Sequence, residues 1–360
     1  FDRQSETYYL YHMNLVTGGT GLLGSHLIYD LVRKGEKVRA LRRPGSDISL
    51  TRDVFSYYCQ DSEALFSEIE WVEGDVLDIF SLQDALIGVN QVYHCAALVS
   101  FNPSTRRKML QVNVEGTANV VNLSLEAGIE KLGYVSSIAA LGRANADGDV
   151  VTEKTEWRPS SDNSLYSVSK YYGEREVWRG IAEGLNAYII NPSVIIGPGN
   201  WKRGSASMFY KVWEGLGYYT SGINGFVDVR DVSASMIRLM QSEVENERFI
   251  ISSENCPYKL VFEWIAEVLG KSKASIEAGY IISEMAWRFE SARALLTGVK
   301  PLITKETARM AHRQYFYSNE KIVQAVGIEF IPVEQAVKDT AEIFLRSFMP
   351  SLSKSGALAR

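Results

Sequence analysis

Tyr166-Ser167-Val168-Ser169-Lys170 sets a phenol and an ammonium four residues apart, in a stretch whose pattern predicts a helix from Tyr166 to Glu183. At that spacing both groups share one helical face, about 6 Å apart along the axis. A free tyrosine ionises near pH ~10. A neighbouring ammonium stabilises the phenolate and draws that value toward neutrality, which suits a general acid or base. Ser137 follows a predicted strand, Lys131 to Val135, at the end where a parallel sheet presents ligands. Its hydroxyl could hold the substrate oxygen that gains or loses the proton. A Tyr–Lys pair alone is common on helix surfaces. Ser137, and a phosphate-binding turn in the same predicted sheet, give it weight.

That turn lies between Asn14 and Leu31. The apolar run Leu15-Val16-Thr17 enters Gly18-Gly19-Thr20-Gly21-Leu22-Leu23-Gly24, and a helix with Leu27, Ile28, Leu31 and Val32 on one stripe follows. Gly18 permits the tight turn, Gly21 lets a diphosphate approach the backbone, and Gly24 lets helix and strand pack closely. Thr20, Leu22 and Leu23 complete the candidate cradle, with the free N–H groups of the helix N-terminus facing the anion. The spacing is G-x-x-G-x-x-G rather than the usual dinucleotide G-x-G-x-x-G, so a purely structural turn is the alternative.

Further positions fit a dinucleotide. A second strand, from Lys37 to Leu41, ends in Arg42-Arg43, where an acidic residue would hold a ribose 2′-OH and an arginine would accept a 2′-phosphate. This favours NADP(H), with NAD as the alternative; two solvated surface arginines are the plainer reading. After the third strand, Ile69 to Glu73, Asp75 could accept from an adenine amino group, with Val76 beside it. An N-cap for a helix at 79–86 explains Asp75 equally well. The fourth strand ends in Ala96 and Ala97, small enough for a cofactor to lie across.

Strand and helix alternate five times with short links, which predicts a parallel sheet covered on both faces. A sixth strand runs from Ala187 to Asn191. Residues 13–192 read as the nucleotide-binding domain and 193–360 mostly as a substrate lobe, with a return to the sheet near 227–252. Residues 1–12 read as an arm, native or added, before Met13. The chain has 360 residues, 46% apolar and 22% charged, with a net charge of −5 that offers no basic field for nucleic acid. It contains no run of 18 apolar residues, and no charged-then-apolar leader precedes the first strand. Three dispersed cysteines suit reduced thiols in the cytoplasm, and four histidines without ligand spacing predict no metal.

Taken together, these pieces resemble the extended short-chain dehydrogenase/reductase family, which also contains nucleotide-sugar epimerases and dehydratases. The matching segments are Thr17 to Gly24, the Asp75 turn, Asn113, Ser137, Tyr166-x-x-x-Lys170, Asn191-Pro192-Ser193 and Phe226 to Val232. The resemblance implies a Rossmann-type doubly wound parallel sheet with a smaller mixed α/β C-terminal substrate lobe. It implies Tyr166 as general acid/base, Lys170 as its partner and a ribose ligand, and Ser137 as the group that orients substrate. Pro192 and Ser193 would join the cofactor site. Asn113 is read either as a proton-relay member or as a buried asparagine that kinks its helix.

The branch is read from further residues. Ile138-Ala139-Ala140 stand where dehydratase-like members carry acids, and Leu141-Gly142 where sugar epimerases show tyrosine–glycine. Val38 to Arg43, Ser136-Ser137, Lys300 to Thr307 and Tyr317 to Lys321 look more like dihydroflavonol-reductase-like and 3β-hydroxysteroid-dehydrogenase-like members. The implied activity is NADP(H)-dependent interconversion of a carbonyl and a secondary alcohol on a small molecule. A nucleotide-sugar epimerase with bound NAD is the runner-up, and a non-catalytic dinucleotide sensor the third reading. Ser100, Trp201 and Arg203 are candidate substrate contacts. A homodimer through the helices at about 105–127 and 165–183 is expected.

Overall fold

Leu15 and Val16 are consecutive and both fully buried. Adjacent strand residues point to opposite faces, so this strand must be covered on both sides. The computed structural model, which describes residues 12–100, 102–143, 149–160, 163–297, 308 and 311–355, shows that arrangement. Five strands, β1 (Met13–Thr17), β2 (Lys37–Arg42), β3 (Glu70–Glu73), β4 (Gln91–His94) and β5 (Lys131–Val135), join two later ones in a seven-stranded sheet. Its order is Glu247–Ile251, Ala187–Pro192, β5, β4, β1, β2, β3, and every pairing is parallel. The order reverses between β1 and β4, and a parallel sheet opens its ligand crevice at such a point, beyond the carboxyl ends of the strands.

One face packs on helix α1 (Leu22–Arg33) and the Val229–Met240 helix, through Leu27, Ile28, Val232 and Met236. Two helices within 46–68, where the sequence shows only a weak pattern, extend that core: α2 (Ser49–Tyr58) and α3 (Ser62–Ser67). Phe55 meets Tyr29 and Phe66 edge-on, so tertiary contacts supply what local propensity lacks. The other face packs on α4 (Ile79–Leu86) and the helices Gly116–Glu126 and Leu165–Ala182. Asp78, not Asp75, caps α4, its Oδ1 accepting from Phe80 N at 3.2 Å.

Beyond Pro192 a three-stranded sheet, Glu254–Pro257, Ile223–Asp228 and Val194–Ile196, builds a separate core with Phe209, Val261, Ile265, Val337 and Phe344. Between these strands the chain returns to the main sheet, and Glu247–Ile251 pairs with Tyr188–Pro192. No described helix is long and apolar enough to cross a membrane. The arm at 1–11 and the segment Lys300 to Thr307 lie outside the described residues.

Candidate active site

The glycine turn sits at the topological switch point. Gly18 has φ +72°, and a Cβ there would meet Ala96 N at 2.7 Å. A Cβ on Gly24 would meet the Gly18 carbonyl oxygen at 2.3 Å. Both positions therefore require glycine, one for backbone conformation and contact, the other for contact alone. Gly21 is exposed and caps α1 without a side-chain bond, so the first N–H groups of the helix, at Leu22, Leu23 and Gly24, lack a capping side chain. Such an end favours an anion.

Around this cradle the other predicted residues fall unevenly. Arg42, at the end of β2, pairs with Glu73 at 3.0 Å, while its Nε is buried with no hydrogen-bond partner; Arg43 is exposed. The Asp75 carboxylate accepts from Leu77 N at 3.0 Å, and Val76 is buried with its carbonyl held by Asn119 Nδ2 at 2.9 Å. Pro192 and Ser193 are buried beside the end of Glu247–Ile251, and the Ser193 hydroxyl has no partner.

Three reactive side chains converge at the carboxyl end of β5. Tyr166 opens the Leu165–Ala182 helix, whose N-cap Ser164 accepts from Ser167 N at 3.0 Å. Its hydroxyl is hydrogen-bonded to Ser137, and both residues are half-buried. Burial pushes the Tyr166 phenol above its ordinary value, and the Ser137 bond offsets part of the rise. The lowering expected from Lys170 does not prevail here, because the ammonium is directed elsewhere. Lys170 Nζ donates to the Val135 carbonyl at 2.7 Å and to Tyr134 Oη at 3.2 Å, and lies 4.7 Å from the Tyr134 ring centre. Two of its three donors are thus engaged. Burial lowers its pKa to about 8, against the opposing pull of Glu174.

A buried polar chain links this ammonium to the glycine turn. Ala96 N donates to Thr17 Oγ1, and because the Thr117 hydroxyl on the far side of His94 gives its hydrogen to the Asn113 carbonyl, His94 Nδ1 is the acceptor of the Thr17 hydroxyl at 2.7 Å. His94 Nε2–H then donates to Thr117 Oγ1 at 3.1 Å, whose own hydrogen reaches the Asn113 carbonyl at 2.8 Å. Tyr134 is also bonded to Thr117 and lies stacked on His94. Burial lowers the His94 pKa to about 3, so the imidazole is neutral. Donors and acceptors balance along the chain with His94 as the Nε2–H tautomer, a proton position assigned from the network.

Asn113 stands in a π-helical turn, Gln111–Glu115, that breaks the long helix predicted from 105 to 127. Its side chain bonds Leu98 N at 2.7 Å, the Leu98 carbonyl at 3.0 Å and Ser169 Oγ at 2.9 Å. Gly173 lacks a Cβ that would meet the Asn113 carbonyl at 2.3 Å, so the helix of Tyr166 packs directly on this turn. The three substrate candidates lie as follows. Ser100 Oγ accepts from Asn102 N at 3.2 Å, Trp201 packs edge-on against Phe209 and Phe344 in the lobe core, and Arg203 is exposed.

Residues 14–252 match the profile of the NAD dependent epimerase/dehydratase family. The chain belongs to that family. Within it, a Synechocystis protein named for dihydroflavonol 4-reductase is 28% identical over 337 residues, 91% of this chain and 93% of that protein. Cinnamoyl-CoA reductase 1 of Petunia hybrida is 25% identical over 338 residues, covering 91% and 90%. A UDP-glucose 4-epimerase from Thermotoga maritima, solved with UDP-glucose, superposes with TM-score 0.73 at 20% identity, covering 93% and 99%. That last likeness is one of fold. Family membership and the reductase relatives make this chain an enzyme of the extended short-chain dehydrogenase type that works with a nicotinamide dinucleotide.

Tyr134, His94, Thr117 and Glu174 also gather around Lys170, and none of them belongs to a motif of the sequence. Only Glu174 carried a local signal, an acid four residues beyond Lys170 on the Tyr166 face. The others reach Lys170 through strand pairing and helix docking, which no spacing in the chain encodes.

Proposed function

We propose that this family member is an NADP(H)-dependent oxidoreductase that interconverts a carbonyl and a secondary alcohol. The observation that carries the reading is the Ser137–Tyr166 hydrogen bond, with Lys170 one turn further along the helix and the glycine cradle in the same crevice. The reductase names of the Synechocystis and Petunia relatives support it. A bound reduced nicotinamide dinucleotide supplies the hydride. Ser137 orients the substrate oxygen and Tyr166 gives it the proton; Lys170, one turn along the helix and bonded to Val135 and Tyr134, adds the positive charge that a phenolate formed in the reaction requires. In the reverse direction Tyr166 takes the proton from the alcohol.

Two observations bear on the cofactor. The partnerless, buried Arg42 Nε and the exposed Arg43 suit a 2′-phosphate. Glu73, paired with Arg42, competes with that phosphate and favours the second reading, an epimerase holding NAD. Charge-assisted bonds from the two arginines favour NADPH by roughly 1.5–3 kcal/mol, and the Glu73 pairing puts the expected preference near about tenfold in affinity. Fluorescence titration with both reduced cofactors checks this, followed by NADPH absorbance on a panel of carbonyls. Equal or tighter NADH binding, with NAD retained through purification and turnover of a UDP-sugar, would replace the reductase by the epimerase.

A further inference from the structure

Glu174 lies one turn beyond Lys170 on the same helix, and no step above uses it. It is 2% exposed, and a carboxylate so buried must be matched by donors. Four surround it. Its Oε2 accepts from Ser136 Oγ at 2.6 Å and Asn191 Nδ2 at 2.8 Å; its Oε1 accepts from Arg248 Nη1 at 3.0 Å and Trp178 Nε1 at 3.3 Å. Asn191 Nδ2 also donates to the Ser137 carbonyl at 3.0 Å. The amide keeps this orientation although its Oδ1 is left buried without a partner. Both donors on Oε2 thus belong to the surroundings of Ser137, one on the preceding residue and one on its own carbonyl.

We propose that Glu174 is a positioning residue that holds the Ser137 hydroxyl against the Tyr166 phenol, clamping the end of β5 to the helix that carries Tyr166 and Lys170. The inference rests on the Ser–Tyr–Lys reading above. Tyr166, Lys170 and Glu174 stand at four-residue intervals, so one rigid helix carries the acid, the ammonium and the clamp. The carboxylate also acts through charge. Tyr134 from β5, His94 at the end of β4 and Cys95 just after it face Lys170; His94 is neutral, and burial pushes the Cys95 thiol up to about 12. Among these described groups Glu174 is the anion that favours the ammonium. Arg248 faces Glu174 from the edge strand, itself held by the Glu153 carbonyl.

Glu174→Gln keeps the shape, removes the charge and turns one acceptor position into a donor. We expect kcat to fall about tenfold to hundredfold, the effect of a slightly misplaced reacting group, with NADPH affinity unchanged. The alkaline limb of the pH–rate profile should move to lower pH, because the ammonium loses its nearby anion. In a Ser137→Ala background the same substitution should cost little more, since Glu174 acts through Ser137. Ser136→Ala retains the charge, so it should lose activity without moving the limb, and it carries the test if Glu174→Gln fails to fold. Unchanged kcat in a folded Glu174→Gln enzyme, or a loss that multiplies fully with Ser137→Ala, overturns the clamp. Wild-type protein that epimerises a UDP-sugar but reduces no carbonyl overturns the reductase reading instead. The same criteria for Glu174 then apply to epimerisation, which uses the same hydroxyl pair.

Discussion

Tyr166 is pulled in two directions: burial holds its phenol protonated and the Ser137 bond favours ionisation. A group poised this way can release a proton to a bound oxygen and recover it. Removing a general acid typically slows turnover 10²–10⁴-fold. Tyr166→Phe should therefore lose turnover on that scale while NADPH binding, which the proposed function assigns to the glycine cradle and the arginines, stays unchanged in a fluorescence titration. Near-normal turnover would mean that the proton comes from elsewhere. Ser137→Ala should also lose activity, and the tyrosine's limb of the pH profile should move to higher pH because the bond that favours its ionisation is gone. Lys170→Met should do worse, because the proposed function gives its ammonium two tasks, favouring the phenolate and holding the cofactor ribose.

Helix α1 shows how one element serves fold and site together. Its apolar stripe fixes it to the sheet, while its N-terminus, entered through Gly21 without a side-chain cap, faces the crevice. Gly24 sets how close that end comes to the turn. A Cβ there would lie 2.3 Å from the Gly18 carbonyl oxygen and 3.0 Å from Gly19 Cα, both backbone atoms that cannot swing aside. Gly24→Ala should thus push helix and turn apart, costing about 1–3 kcal/mol of stability and weakening NADPH binding together with it. Thermal unfolding and cofactor titration on the same sample check both. A lowered Tm with unchanged affinity would detach the cradle from the cofactor. The π turn around Asn113 serves another end, using its side chain to hold the Leu98 backbone at the crevice.

For the whole molecule, the Gly116–Glu126 and Leu165–Ala182 helices lie side by side, tied by Arg179 Nη2 to Asn122 Oδ1 at 2.7 Å. Tyr172, on the second of them, is 43% exposed. We expect a homodimer through this pair of helices, seen by light scattering at micromolar concentration as a particle of twice the chain mass. Tyr172→Glu should shift it to the monomer, since a charge in an apolar contact is expensive to desolvate. A wild-type particle of single-chain mass would remove the dimer. The second of these helices carries Lys170 and Glu174, and the first follows directly on the π turn of Asn113, so loss of the dimer should be checked against turnover.

The sequence by itself determined the alternating strands and helices, the glycine cradle and the Tyr166–Lys170 pair. These rest on short-range physics: apolar periodicity, residues that tolerate a tight turn, and a four-residue helical spacing. It did not determine α2 and α3, because the contacts of Phe55 and Phe66 that stabilise them come from elsewhere in the chain. Nor did it determine the π turn, which depends on Asn113 reaching Leu98 and Ser169. Trp201 read as a pocket aromatic, yet its edge-on packing with Phe344 is a contact across 143 positions of sequence. Apart from Trp178, one turn along the same helix, tertiary structure alone decided the partners of Lys170 and Glu174. Tyr134, Asn191 and Arg248 sit on three neighbouring strands and Ser136 directly after the first, and only parallel pairing of those strands brings their side chains to one helix face.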